Sequence, residues 1–257
     1  MTSPDCQAER AAQKGRACEI ILVNCRRDEA FRIPRLARQL RLKLKRAAAH
    51  TREEFVLSPT NEQAVKALDA WPDWPGGALA LVGPKGSGKT HLALAWAHAA
   101  GAVIFDPHTK LSSLEGRPVL VEDVDRALID DEALFHLFNM AGLKGGGLLL
   151  TARKLPAQWK TALPDLRSRL NGLTIAQLGA PDDQLLHQVL EKFFRQRNIK
   201  PTDDIYPYLI RRIERSVPAA EAIVRRLDKA ADEQQRAISR VLAREVLEGD
   251  GTLELFE

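Results

Sequence analysis

Gly83-Pro84-Lys85-Gly86-Ser87-Gly88-Lys89-Thr90 lies between the apolar run Ala78-Leu79-Ala80-Leu81-Val82 and the helix-forming His91-Leu92-Ala93-Leu94-Ala95-Trp96-Ala97. It is a complete GxxxxGK[ST] phosphate loop in the strand, loop and helix context that the motif requires. The chemistry dictates the residue types. Glycines let the backbone curl until successive N–H groups point inward at phosphate oxygens, and the helix N-terminus adds partial positive charge. Lys89 brings a point charge to the β and γ phosphates, while the Thr90 hydroxyl is placed to ligate Mg²⁺. Gly83, Pro84, Lys85, Gly86, Ser87, Gly88, Lys89, Thr90 and His91 are therefore the expected nucleotide-binding set. A Gly-rich turn with a chance lysine would lack both flanks.

Working outward, the 257 residues, 45% hydrophobic and 28% charged, suffice for one well-buried domain with a smaller appendage. No apolar run approaches the ~20 residues of a membrane span. The opening MTSPDCQAERAAQKGR lacks the apolar core of a secretory signal. Cys6, Cys18 and Cys25 are odd in number and match no zinc spacing, which suits a reducing cytoplasm. A net charge of +4 allows nucleic-acid contact without demanding it.

Residues 1–38 show no sustained period and are expected to form a disordered basic extension. Arg26, Arg27, Arg32, Arg35, Arg38, Arg41, Lys43, Lys45 and Arg46 crowd this arm and the residues after it, either as a solvated tail or as a non-specific DNA arm. Within it, Gln39-Leu40-Arg41-Leu42-Lys43-Leu44 alternates as an extended peptide would when adding to a partner surface, with alternate side chains entering pockets. Leu36, Leu40 and Leu44 also recur every four residues, as on a basic amphipathic helix. Spacing alone leaves the two readings even.

Ser58-Pro59-Thr60-Asn61 reads as a helix start with proline in the first turn, and Trp71-Pro72-Asp73-Trp74-Pro75-Gly76-Gly77 as a rigid turn whose tryptophans pack. Beyond the phosphate loop, Ala102-Val103-Ile104-Phe105-Asp106 and Val119-Leu120-Val121-Glu122-Asp123 read as buried parallel strands ending in acids. The second has the form of a strand in which one acid, Glu122, holds Mg²⁺ and its neighbour, Asp123, orients the attacking water. A helix from Asp131 to about residue 143, a strand over 146–151 and a last strand over 173–176 complete a doubly wound α/β pattern. The remainder is helical, over about 182–197, 203–215, 218–234 and 237–248, with Pro181, Pro201 and Pro218 at the joins. No histidine pair has metal-ligand spacing, and His91 and His98 suit packing or surface roles.

Phosphate loop, acidic strand, polar strand end, the segment Leu163-Pro164-Asp165-Leu166-Arg167-Ser168-Arg169-Leu170 and a helical lid together resemble an AAA+ domain of the DnaA initiator type, over residues 39–247. The chain resembles still more closely the Hda-type DnaA-related regulatory inactivators. That resemblance implies an α/β AAA+ P-loop NTPase core with a parallel sheet plus a small C-terminal all-helical lid. The expected divisions are 1–38 extension, 39–57 clamp-binding peptide and linker, 58–180 core and 181–257 lid.

The resemblance decides between the two readings of residues 39–44. The family's QLxLPL peptide docks on the DNA polymerase sliding clamp, which makes Gln39, Leu40, Leu42 and Leu44 the expected clamp contacts; Lys43 replaces the proline and loosens pre-organisation. An initiator continues past the lid into a helix-turn-helix domain, for which the residues ending at Glu257 leave no room, so sequence-specific DNA binding is not expected. Arg169 matches the family's arginine finger, acting across a subunit interface on nucleotide held by a neighbour, with Arg167 as the fallback. Unaided by the resemblance, the two arginines would read as a surface pair bonding loop carbonyls. The implied partners are the clamp, the DnaA initiator and, through the family's tendency to dimerise, a second copy; the implied cofactors are ATP or ADP with Mg²⁺.

The sequence also departs from the family. Glu122-Asp123 replaces Asp-Asp, Thr151-Ala152-Arg153 lacks the carboxylate of Ser-Asp-Arg at the sensor 1 position, and the sensor 2 arginine falls at Pro218, with Arg215 as a nearby substitute. Each change removes a group that would sense or polarise a γ phosphate, so feeble self-hydrolysis is expected. The competing functions are an autonomous AAA+ ATPase, such as a helicase loader or compact initiator, and a DNA-binding factor using the basic arm.

Overall fold

The computed structural model describes residues 51–127 and 129–249. The cysteines, the basic arm and Gln39, Leu40, Leu42 and Leu44 lie outside the described residues.

Five strands, β1 (Ala78–Val82), β2 (Val103–Ile104), β3 (Pro118–Val121), β4 (Gly147–Ala152) and β5 (Thr174–Gln177), form one parallel sheet in the order β2-β3-β4-β1-β5. The phosphate-loop strand β1 is interior, paired with β4 on one side and β5 on the other. Its five residues are all buried, which is why the run reads as continuously apolar instead of alternating. Leu79, Leu81, Leu120 and Leu149 pack with α1 (Glu62–Asp69) and α2 (Lys89–Ala100), whereas Ala78, Val119, Val121, Leu148 and Leu150 pack with α3 (Asp131–Ala141) and α4 (Pro164–Asn171). The period-2 alternation of strand side chains thus feeds two cores, one on each face. A third apolar cluster unites α5 (Asp183–Gln196), α6 (Ile205–Ile210), α7 (Val217–Gln234) and α8 (Arg240–Glu248). Side chains of Asp182, Ser216 and Ser239 accept the first-turn N–H groups of Leu185, Ala219 and Leu242, setting where α5, α7 and α8 begin.

The structure corrects four details of the sequence reading. The strand over 102–106 shrinks to two residues at the sheet edge, with Ile104 52% exposed, because Asp106 turns the chain by accepting from the His108 N–H. Pro59 precedes α1, since the Asn61 side chain accepts from the Ser58 N–H and the helix opens only at Glu62. The helix expected over 203–215 stops at Ile210, and residues 211–215 turn so that Ser216 can cap α7. Residues 164–171 are not a connector but helix α4, started by Pro164 and anchored by buried Leu166 and Leu170. The tryptophans pack as expected: Trp74 stacks on Trp96 with centroids 5.2 Å apart, and Trp71 meets Trp96 edge-on at 6.0 Å.

Candidate functional site

Because every strand is parallel, the carboxyl ends of β1, β3 and β4 open at one edge of the sheet, and the phosphate loop leaves β1 there. Gly86 and Gly88 hold φ of +78° and +96°, which L side chains rarely adopt. Both are also hemmed in. A Cβ on Gly86 would meet the Ser216 Cβ at 2.5 Å, and one on Gly88 would meet the Phe55 ring at 3.0 Å. Ser87 is buried and its hydroxyl bonds the Pro84 carbonyl at 2.9 Å, fixing the turn. Pro84 and Lys85 are exposed on the outer bend, and Thr90 is exposed in the first turn of α2.

Lys89 is only 6% exposed and its Nζ donates to the carbonyls of Gly83 and Pro84, each at 2.8 Å. Burial pushes its ammonium below the ordinary lysine pKa; Asp123 opposes this, Arg153 adds to it, and Asp125 opposes it. The charged lysine is thus held in the curl of the loop at a cost, ready for an anion. Phosphate is the group this cradle fits: inward N–H groups at a helix start, with a buried cation at their centre.

Asp123 and Glu122 follow β3, and Asp123 adopts a left-handed φ of +46°. Its N–H donates to the Thr151 Oγ1 at 2.8 Å, pinning the acidic turn to the end of β4. The Asp125 carboxylate accepts from the N–H groups of Arg153 and Lys154 at 3.1 to 3.3 Å. Asp125 therefore brings a carboxylate to the strand end at which Ala152 has none, and sequence reading missed it because it lies two residues past the acidic pair. Asp123, not Glu122, is among the acids that act on Lys89. The described residues include no cluster of three or more His, Cys, Asp or Glu suited to a metal. Mg²⁺ bound with nucleotide takes one or two protein oxygens besides phosphate and water, so the Thr90 hydroxyl and a carboxylate of the Glu122-Asp123 pair fit that need.

The lid meets the loop directly. The Val217 N–H donates to the Gly86 carbonyl at 3.1 Å, and the Pro218 Cδ stands 3.3 Å from where a Gly86 Cβ would be. Arg215 points elsewhere, paired with Asp183 at 2.8 Å. Residues 51–56 run beside the loop: His91 Nε2 pairs with the Thr51 carbonyl at 3.1 Å, the Phe55 and His91 rings lie 5.8 Å apart, and Lys192 of α5 donates to the Glu54 carbonyl. Phe55 thus sets an aromatic wall beside Gly88. A lone phenylalanine 33 residues ahead of that glycine carries no sequence signal of its own.

The two arginines of α4 separate. Arg167 is half-buried and donates to the carbonyls of Ala157 at 3.3 Å and Trp159 at 2.5 Å. Arg169 is exposed, with Nη2 donating to the Asn139 Oδ1 at 2.7 Å and its guanidinium carbon 5.2 Å from the Phe135 ring centroid. The loop leading into α4 is tied to α3, because the Asp131 carboxylate accepts from the Thr161 hydroxyl and the Ala162 N–H, both at 2.8 Å. The Thr161 bond, then the Ala162 bond, hold that carboxyl below its ordinary pKa. A depressed carboxyl stabilises the fold above its unfolded pKa and loses that contribution as pH falls through the folded value. Asp131→Asn is expected to lower Tm by about 2–4 °C at neutral pH, the scale of one part-exposed hydrogen bond. The gap to wild type should close in the acid range, as followed by thermal melts across pH.

No family model matches the chain. An uncharacterized protein of Haemophilus influenzae is 32% identical over 182 residues, covering 64% of this chain and 79% of that protein. The chromosomal replication initiator DnaA of Thermomicrobium roseum is 27% identical over 235 residues, 78% of this chain and 50% of the initiator, so the chain spans about half the length of this relative. Domain III of Thermotoga maritima DnaA superposes with a TM-score of 0.65 at 16% identity, over 78% of this chain and 96% of that domain. AMPPCP-bound DnaA from Aquifex aeolicus superposes with a TM-score of 0.58 at 16% identity, over 73% of this chain and 68% of that one. No helix of the described residues is long and apolar enough to cross a membrane. The chain belongs to one family with the uncharacterized Haemophilus influenzae protein and has the DnaA-related AAA+ fold.

Proposed function

We propose that this protein binds ATP or ADP with Mg²⁺ in the Gly83–Thr90 loop and acts as a regulator of replication initiation, stimulating hydrolysis of ATP held by the DnaA initiator. The observation that carries the reading is the division of labour on α4. Arg167 is consumed by carbonyls of its own chain, while Arg169 is exposed with one nitrogen engaged. In the partner's site water attacks the γ-phosphorus, the bond to the β–γ bridging oxygen breaks, and negative charge grows on the departing and equatorial oxygens. A guanidinium brought in trans stabilises that charge. Within this chain Asp123, held by Thr151, is the acid placed to act beside Lys89. The proline ring of Pro218 over Gly86, in place of a cation, and Ala152 at the end of β4 support weak hydrolysis by the protein alone.

Gln39, Leu40, Leu42 and Leu44 serve as the tether to the sliding clamp in this proposal, and the protein works in the cytoplasm, itself pairing as a homodimer. Clamp loaded on DNA, ATP-loaded initiator and the full chain are combined and ADP formation is followed, with each component omitted in turn. Hydrolysis on the initiator should rise only in the complete mixture. Equal ADP formation without initiator would identify an autonomous ATPase and overturn the proposal.

A further inference from the structure

α4 presents Arg169 but does not by itself hold it. An exposed arginine on a helix surface carries ~2 kcal/mol of rotamer entropy, and a guanidinium that wanders over several ångströms would spend most encounters out of reach of a phosphate. The neighbouring helix removes that freedom on two sides. Asn139 takes one N–H of Arg169 at 2.7 Å, and the Phe135 face lies under the guanidinium at 5.2 Å. The two residues are four apart on α3, hence one above the other on the same helix face, and they meet the guanidinium from one side. The hold is partial. A guanidinium has five N–H donors in a planar fork and Asn139 engages one nitrogen, so most of the fork stays open to a bidentate anion. Arg169 has no carboxylate within ion-pair distance among the described residues, whereas Arg52, Arg195, Arg215, Arg236 and Arg244 each do. An acid here would neutralise the charge and compete with phosphate; a neutral amide and an aromatic ring orient the group and leave its charge uncompensated. α3 and α4 are meanwhile locked together through Asp131 to residues 161 and 162, so the cradle and the arginine keep one register.

We infer that Asn139 and Phe135 are positioning residues that hold the Arg169 guanidinium at the angle it needs to meet the γ-phosphate of ATP bound on a second AAA+ module. The inference rests on the arginine-finger reading above and adds what aims the finger.

The test uses the full chain with DNA-loaded clamp and ATP-loaded initiator, titrating the chain and reading both the maximal rate of ADP formation and the half-saturating concentration. Asn139→Leu keeps the volume and removes the acceptor; Phe135→Leu keeps apolar packing and removes the ring face. Each should lower the maximal rate about ten- to a hundred-fold, as misplacement of a reacting group does, with the half-saturating concentration, the melting temperature and the chain's own nucleotide affinity unchanged. Asn139→Asp and Phe135→Tyr, which retain the acceptor and the ring, should restore most of the rate. Loss of the rate with Arg169→Ala but full activity in both leucine variants overturns the cradle while the finger stands. Full activity in Arg169→Ala removes finger and cradle together. A raised half-saturating concentration with an unchanged maximal rate would show that Asn139 and Phe135 merely contact the partner, which also overturns the inference.

Discussion

Replacing Arg169 with alanine is expected to lower the maximal rate of initiator ATP hydrolysis by ~10³ to 10⁵, the range over which a trans arginine acts on phosphoryl transfer. The chain's own nucleotide binding and its association with the clamp should be unchanged. The size of the effect follows from where the charge develops: no other cation enters the partner's site in this proposal, and alanine leaves nothing to replace the guanidinium. The specificity follows from how α4 is held. Leu166 and Leu170 are 0% and 2% exposed, Arg167 bonds two carbonyls, and Asp131 ties the preceding loop to α3, so none of the anchors of the helix passes through Arg169. Arg167→Ala gives the contrast. It strips donors from the Ala157 and Trp159 carbonyls and should lower the melting temperature, with its loss of stimulation tracking the loss of folded protein. Single-turnover ADP formation on labelled initiator, beside thermal melts of both variants, separates the two. Normal stimulation by the Arg169 variant would leave the exposed arginine without a function and remove the proposal.

How much of this was legible beforehand depended on how locally each feature is encoded. The phosphate loop was readable because glycines, lysine and hydroxyl act within eight consecutive residues, and the buried strands because two-sided burial leaves uninterrupted apolar runs. The lid helices were readable from their apolar faces and prolines, though α6 ended early once Ser216 had to cap α7. The corrections share a cause: strand length at a sheet edge and the start of α1 were set by single side-chain bonds, from Asp106 and Asn61. The site's missed members are long-range. Asp125 meets Arg153 across 28 residues, Asn139 meets Arg169 across 30, and Phe55 reaches Gly88 from a segment that also touches the lid. No pattern along the chain announces such pairs; they exist because a parallel sheet gathers its strand ends on one edge. The sequence divided Arg167 from Arg169 only by resemblance, whereas the structure divides them by hydrogen bonding.

Lys89→Ala is the second large effect expected, a loss of about 10² to 10⁴ in affinity for ATP and ADP. The estimate takes roughly two charge-assisted hydrogen bonds to phosphate at ~1.5 to 3 kcal/mol each, with ~1.4 kcal/mol to a factor of ten. The apo protein should change much less. Burial already disfavours the charged lysine, as its lowered pKa records, so removing it relieves a desolvation cost while leaving the Gly83 and Pro84 carbonyls without that donor. Two observations therefore diverge. Wild type with nucleotide at a hundred times Kd should gain about 2.7 kcal/mol, roughly 5–10 °C in Tm for a protein of this size, and the variant at the same concentration should gain almost nothing. Without nucleotide, the two should melt within a few degrees of each other. The stimulated rate on the initiator then tells whether the loop serves the arginine: if it falls in Lys89→Ala as well, nucleotide in this protein's own site organises the face that carries Arg169, and if it persists, the arginine works from an unliganded module. Undiminished nucleotide binding by the variant would mean that the Gly83–Thr90 loop is not the site, and the reading of the whole sheet edge would fall with it.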